Sequence, residues 1–384
     1  MLSESQFSID IPTRIRFGWG SRMEFTETLA QLANKRVLIV ASERMLQRAP
    51  VALLLQALEK SNLELLFSTR LRPNPRVQDI ESCAASFSDS AVDHVLGIGG
   101  GSGLDQAKVI AMALGTGQSV VELLSRKSPL PERGLPLTLM PTTSGTGSEI
   151  SWGAIISDEE AGVKTGLRGR TIAADFAYID PELTVTAPTE LTMITGFDVL
   201  THSLETFLSN KASPLTKALS RQAMRNVFIH LPRLKENGDD RESRSAMAYS
   251  SALMGINLCH SSTCLPHRLQ YPVGAATDTS HAEGLAALYP AWLNAVRPFA
   301  TDKLARCAAW IGVGSDQGQE RDADTFIATT LELIDKIGMN RTISQLGVNE
   351  DMVRDFVDQV SGNLSLDPSY ESKESLRTIY LKSL

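Results

Sequence analysis

The side chains able to do metal chemistry fall in two short stretches. In GFDVLTHSLE, Asp198 and His202 stand four residues apart, which puts a carboxylate and an imidazole on one face of a helix. In PHRLQYPVGAATDTSH, His267 and His281 are two of the chain's 6 histidines, separated by turn-formers and small residues. Together the four offer one carboxylate oxygen and three imidazole nitrogens. That donor set suits Fe(II) or Zn(II) and is poor for Mg(II) or Ca(II), which prefer oxygen ligands. Each part also has a plainer explanation. D-x-x-x-H is a common surface or N-terminal pair, His281 can be a loop histidine, and His267 can be a residue at a helix start after Pro266.

Two other stretches suit a different ligand. GIGGGSGLDQAK (97–108) follows a candidate strand and opens a helix. Glycine lets a backbone come close to a ligand, and N–H groups at a helix start attract phosphate oxygens. The stretch is not G-x-G-x-x-G, since Ser102 stands where the third glycine should be, and it is not a P-loop, since no G-K-[ST] follows. A tight turn needed only for packing is the alternative. MPTTSGTGSE (140–149) also follows a strand and is filled with hydroxyls and glycines. Two such loops after parallel strands point to a phosphate-bearing cofactor at the carboxyl edge of the sheet.

The elements that must position these residues change character midway. KRVLIVAS (35–42), LELLFST (63–69), DHVLGIG (93–99), PLTLMP (136–141) and FAYIDPEL (176–183) predict extended segments. Helices are expected over VALLLQALEK (51–60), over about 77–88, and after Gly103. Strands alternating with helices imply a parallel sheet covered on both faces. After Pro188, stretches such as LTMITGFDVLTHSLETFLS carry apolar residues at helical spacing and strand-like alternation disappears. The chain therefore divides into an α/β domain over 1–187 and an all-α domain over 188–384.

Composition narrows the class. At 384 residues the chain exceeds the usual size of one core. A net charge of -7 without a basic stripe argues against nucleic acid. No apolar run approaches the roughly 20 residues that span a bilayer, and the N-terminus lacks a basic segment followed by an apolar one. Cys83, Cys259, Cys264 and Cys307 are irregularly spaced and form no C-x-x-C pair, which fits a reducing cytoplasm.

Taken together, the chain resembles the iron-containing, metal-dependent alcohol dehydrogenases, relatives of glycerol dehydrogenases and dehydroquinate synthases. IRFGWGS looks like the family's opening I-x-F-G-x-G, RPNP like its P-N-P turn, and GGGSGLDQAK like G-G-G-S-x-x-D-x-x-K. PTTSGTGSE resembles its hydroxyl loop, IDPEL its domain junction, and GFDVLTHSLE its first metal segment. The second metal segment normally holds two histidines fourteen apart, as His267 and His281 are. The resemblance implies an N-terminal dinucleotide-binding domain, a C-terminal helical metal-binding domain, and an active site in the cleft between them. It implies Asp198, His202, His267 and His281 as ligands of Fe(II), with Zn(II) tolerated. It implies NAD or NADP contacts at Gly99, Gly100, Ser102 and Asp105 near the pyrophosphate, at Thr142, Thr143 and Ser144 in the hydroxyl loop, at Asn74 in the P-N-P turn, and at Lys164 near a ribose. Ser42, followed by Glu43, stands where NAD-specific members often carry an acidic residue, so use of both cofactors is expected. A homodimer is the common default for such enzymes.

The chain also departs from the family pattern. Tyr271 replaces a histidine usually found four residues after the third ligand, and His260 stands where an asparagine is common. Arg268 replaces a small residue, and its planar fork matches carboxylate, phosphate or phosphonate groups. Maleylacetate reductases tend to carry a basic residue at that place. Arg268 and Tyr271 are thus candidates for handling a small acidic oxo substrate. Alternatively Arg268, about 100° around the helix from His267, pairs with a surface carboxylate. The expected activity is hydride transfer between a nicotinamide cofactor and a small alcohol or aldehyde. A dehydroquinate-synthase-like cyclase, a metallohydrolase using Glu205 as general base, and a non-catalytic nucleotide-binding protein are the competing classes.

Overall fold

Short apolar runs without polar alternation are stable as strands only when both sheet faces are covered, and the first half of the chain is built that way. The computed structural model describes residues 6–30, 36–61, 63–125, 130–131, 133–159, 163–315 and 317–384. Strands Arg14–Phe17 (β1), Arg36–Val40 (β2), Glu64–Ser68 (β3), His94–Gly99 (β4), Leu137–Pro141 (β5) and Phe176–Ile179 (β8) make one sheet in the order β1-β8-β5-β4-β2-β3. Every neighbouring pair is parallel. Gly153–Asp158 (β6) and Val163–Arg168 (β7) form a separate antiparallel pair.

Alternate residues of β2 and β4 enter two different cores. Leu38, Val40 and Val95 join Leu137 and Leu139 on one side, with Ile80 and Leu104. Val37, Ile39, Leu96 and Ile98 join Met140 on the other, with Phe25 and Leu54. The first core takes helices Val77–Phe87 (α4), Gly101–Thr116 (α5) and Val120–Leu124 (α6); the second takes Phe25–Ala30 (α1) and Ala49–Glu59 (α3), with the short Glu43–Leu46 (α2) before it. This is the expected parallel α/β layering, with period-two side-chain direction deciding which core each residue enters.

Four details differ from the sequence expectation. The β1 strand and the β6–β7 pair are additional, helix α5 opens at Gly101 rather than after Gly103, and the extended segment over 176–183 ends at Ile179, where Asp180 caps a 3-10 turn over Pro181–Thr184. Glycine has low helix propensity, so a G-G-G-S-G run reads as loop until the packing around it is known. Lys35, at the head of the predicted strand, lies outside the described residues.

The chain separates into two units, Asp10–Ala187 and Pro188–Leu384, the latter with the described residues before Asp10. Among the described residues the second unit is helical: Thr189–Leu208 (α7), Pro214–Glu236 (α8), Arg241–His260 (α9), Leu265–Thr277 (α10), His281–Ile311 (α11), Gln319–Lys336 (α12), Glu350–Gln359 (α13) and Lys373–Ser383 (α14). Helix α7 is buried along nearly its whole second half, packed among α8, α9 and α11. Its Gly196 permits the close approach, since a Cβ there would stand 2.2 Å from Leu231 Cδ1. An apolar helix buried on all sides makes any polar residue it carries expensive unless that residue is paired or binds something. Asp198, His202 and Glu205 are the charged or titratable residues so placed.

Candidate metal centre and cofactor loops

Asp198 and His202 occupy successive turns of α7, both almost fully buried at 3% and 4% exposure. His267 is the third residue of α10, and His281 is the first of α11. The chain between them ends α10 at Asp278, whose φ of 51° reverses the backbone, and returns through the extended Ser280. That return is why fourteen residues bring the two imidazoles back together, with ring centroids 5.0 Å apart.

One ligand atom each of Asp198, His267 and His281 lies within 4.8 Å of the others. His267 Nε2 is 3.9 Å from Asp198 Oδ1. His202 stands beside this cluster rather than inside it: its ring stacks on His267 at 4.7 Å, and its Nε2 is 3.8 Å from Asp198 Oδ1. Metal–nitrogen and metal–oxygen bonds of about 2.0–2.2 Å allow two ligand atoms to be at most about 4.4 Å apart. The distances from Asp198 to His267 and His202 fall inside that limit, while the 4.8 Å bound on the three-residue cluster is wider by a few tenths of an ångström, so the side chains close in slightly on an ion. Burial pushes the Asp198 carboxyl up, but His202, His281 and His267 outweigh it and hold the carboxyl below its usual value. The donor set therefore fits a divalent transition metal, with a carboxylate kept ionised to receive it.

Behind each clustered imidazole stands an oxygen acceptor. Glu205 Oε1 is 2.8 Å from His267 Nδ1, and Gln270 Oε1 is 2.5 Å from His281 Nδ1. An acceptor at Nδ1 places the ring proton there and leaves the Nε2 lone pair for a metal. Neither role is among those the sequence assigns. The signal was present in the spacing, because Glu205 is one turn beyond His202 and Gln270 one turn beyond His267.

Glu205 also accepts from the Cys264 backbone N–H at 2.9 Å, while Asp367 accepts from the Leu265 N–H at 2.9 Å and the Trp292 indole at 2.8 Å. Two carboxylates thus meet the first N–H groups of α10, where the helix dipole favours negative charge. Burial raises the Glu205 carboxyl well above its usual value, opposed by His202 and the Cys264 N–H. With both oxygens engaged inside the protein, Glu205 is not placed as a general base for metal-bound water. This removes the support for a metallohydrolase.

Tyr271, one turn beyond His267, stacks its ring on His281 at 6.2 Å and 23°. Arg268 takes another direction. It is buried at 7% exposure, donates from Nη2 to Ser262 Oγ at 3.2 Å, and would meet a Cβ at Gly362 within 3.5 Å of its Nε. No carboxylate among the described residues pairs with it, so the surface ion pair is not what the structure holds. Its Nε has no hydrogen-bond partner among the described residues.

The two glycine and hydroxyl loops leave the sheet side by side, because Gly99 of β4 is in register with Pro141 of β5. Thr142 N donates to Gly99 O at 2.9 Å. A Cβ at Gly100 would stand 3.3 Å from Thr143 Oγ1, and one at Gly101 would collide with the Thr146 side chain at 2.5 Å. Glycine is needed here for the loops to touch. The N-terminus of α5 begins at that contact, with Gly100 as N-cap and no side chain capping it. Ser102 lies in its first turn, and Thr143 and Ser144 are half-buried opposite. An uncapped helix start beside hydroxyls fits a phosphate group.

Other residues linked to the cofactor have internal partners. Asp105 accepts from Ser148 Oγ at 2.5 Å and Ile155 N at 2.8 Å, bracing α5 against the hydroxyl loop and β6. The fully buried Lys108 donates to Ser148 Oγ, Ser151 O and Gly153 O within 2.9 Å. Asn74, at φ 55°, accepts from Lys164 Nζ at 3.0 Å, so the P-N-P turn and β7 are joined by two implied cofactor residues. Ser42 Oγ caps α2 by accepting from Met45 N at 3.3 Å.

A parallel α/β unit with paired phosphate-type loops, plus a helical unit holding a carboxylate–histidine cluster, defines a metal-dependent oxidoreductase of dinucleotides. Residues 12–181 match the iron-containing alcohol dehydrogenase family model, and residues 192–384 match the family's C-terminal domain model. The long-chain-alcohol dehydrogenase 1 of Geobacillus thermodenitrificans is 30% identical over 97% of this chain and 95% of its own. An NADPH-dependent butanol dehydrogenase of Clostridium saccharobutylicum is 26% identical over 91% of this chain and 89% of its own. The iron-containing alcohol dehydrogenase structure from Thermotoga maritima superposes with a TM-score of 0.85, at 26% identity and 99% coverage of both chains. The chain belongs to the iron-containing alcohol dehydrogenase family and is an oxidoreductase. No helix among the described residues is long and apolar enough to cross a membrane.

Proposed function

We propose that the protein interconverts a small alcohol and its aldehyde with NAD or NADP, using Fe(II), or Zn(II) in its place, held by Asp198, His202, His267 and His281. The observation that carries this is the convergence of three of those residues within 4.8 Å, in a chain of this family. His202 joins as the fourth ligand because its Nε2 already stands 3.8 Å from Asp198 Oδ1. A divalent cation held by these residues would supply Lewis acidity to the substrate oxygen, and a nicotinamide bound at the cofactor loops would serve as hydride donor or acceptor.

The protein's own residues do the rest. Glu205 and the α10 N-terminus hold His267, burial keeps water from Asp198, and the 99–102 and 142–144 backbone and hydroxyls bind the pyrophosphate. Asn74 and Lys164 hold a ribose, and Asp105 keeps the two loops together. Ser42 offers no carboxylate to repel a 2′-phosphate, which supports use of both cofactors. Tyr271, stacked on His281, is the phenol assigned to donate a hydrogen bond to the substrate oxygen. The test is absorbance of the reduced nicotinamide during aldehyde turnover, with the enzyme stripped of metal and then reloaded with Fe(II). Turnover that returns with Fe(II) supports the reading; cofactor recycling without net change would favour a cyclase.

A second reading concerns substrate class and rests on Arg268. Arg268 donates to Ser262 and feels the charge of Glu205, but its buried Nε has no hydrogen-bond partner among the described residues and is left to meet an anion. We take the preferred substrate to be an aldehyde or ketone bearing an acidic group. The four cysteines are free thiols, which supports a reducing cytoplasm. We take the working form to be a homodimer, the default symmetry, checked by light scattering.

A further inference from the structure

Gln270 makes a contact that neither ligand chemistry nor packing alone accounts for. It is fully buried, and its Oε1 lies 2.5 Å from His281 Nδ1. An amide oxygen has no proton to give, so His281 Nδ1 must be the donor. The ring is then the tautomer whose Nε2 carries a lone pair. Helix α10 places His267, Gln270 and Tyr271 three and four residues apart, on one face. One face thus supplies a ligand, an acceptor for the second ligand's far nitrogen, and a ring stacked on it at 6.2 Å.

The opposite wall is shaped to admit the amide. Gly284, on α11 one turn after His281, has no Cβ; one there would stand 2.8 Å from Gln270 Cγ and 3.1 Å from Nε2. Gln270 Nε2 has no hydrogen-bond partner among the described residues. A residue present only to fill space would cost less as a hydrocarbon of the same size.

We propose that Gln270 is a positioning residue: it fixes the tautomer and ring orientation of His281 and so sets the affinity of the metal centre, with Gly284 keeping the space it needs. This rests on the metal-centre reading above. The test is Zn(II) affinity of the metal-free full-length enzyme, measured by competition with a chromophoric chelator. Wild type is compared with Gln270→Met, which removes the amide acceptor at similar volume, with Gln270→Glu, which keeps an oxygen, and with Gly284→Ala. Far-UV circular dichroism of the metal-free forms checks that each folds.

We expect Gln270→Met to weaken Zn(II) binding by about 10–100-fold, the usual effect of losing such a partner. Gln270→Glu should bind at least as tightly as wild type, and Gly284→Ala should lose affinity although it alters no ligand. A Met variant that folds and binds Zn(II) like wild type would overturn the proposal. So would a Glu variant weaker than wild type, which also decides the matter if the Met variant does not fold. If wild type itself binds no Zn(II), the metal-centre reading fails instead.

Discussion

The Glu205 carboxylate joins two structures at once, accepting from His267 Nδ1 at 2.8 Å and from the Cys264 N–H at 2.9 Å. One side chain on α7 therefore fixes both the start of α10 and the ring that α10 presents to Asp198. Replacing it by alanine leaves a buried N–H without an acceptor, which costs about 1–3 kcal/mol. The same change should weaken metal binding by about 10–100-fold. Glu205→Gln, which retains one oxygen, should fall between. Urea unfolding and elemental analysis of the purified variants read the two effects separately; a Glu205→Ala protein with unchanged metal content and unchanged stability would contradict this role.

Acid sensitivity should trace in part to His94. It is the buried first residue of β4, with Nε2 2.9 Å from Thr138 Oγ1 of β5, and burial lowers its pKa from 6.5 to about 4, opposed by Asp175. The folded state therefore holds the ring neutral while the unfolded chain takes up a proton. Stability from this group is complete above pH 6.5 and is lost as pH falls from 6.5 through 4. The loss attributable to His94 between pH 7 and 5 is about 2 kcal/mol. His94→Gln should flatten that part of the stability–pH curve, whatever its effect at pH 7. Parallel curves for variant and wild type would show that His94 does not titrate in this way.

Arg268 gives a prediction about substrate. If its guanidinium takes an acidic group, Arg268→Ala should lose kcat/KM selectively on an acidic aldehyde, by at least tenfold or about 1.4 kcal/mol, relative to a matched neutral one. Equal losses on both substrates, or none, would leave Arg268 as a packing residue against Ser262 and Gly362.

Cofactor choice follows from the end of β2. Ser42 uses its hydroxyl to cap α2, and Glu43 Oε1 accepts from Thr69 Oγ1 at 3.4 Å. Neither is committed to a ribose, so NADH and NADPH should support turnover within a hundredfold of each other. A stronger preference for NADH, above about 2.7 kcal/mol, would mean that Glu43 swings in to bind the ribose hydroxyls.

Much of this was legible in the sequence because the relevant spacings are local. Continuous apolar runs marked β2, β4 and β5, and the four-residue step from Asp198 to His202 placed both on one face of α7. The β6–β7 pair escaped because β6 is buried at only two of its six positions and so carries no continuous apolar run. What spacing could not supply was direction. Asp105 sits next to the glycine loop in the chain, yet its oxygens bind Ser148 and Ile155, because a half-buried carboxylate takes the nearest donors. Gln270 reads as an ordinary helix residue until the chain folds back at Asp278 and brings His281 to it. Those pairings depend on tertiary geometry.

The central claim is that the four residues hold one metal ion needed for turnover. The direct measurement is metal content by elemental analysis, with aldehyde turnover, for His267→Ala and His281→Ala beside wild type, each shown to be folded. Both variants should lose most of the bound metal and nearly all activity while wild type retains about one ion per chain. Unchanged metal content in both folded variants would contradict the assignment.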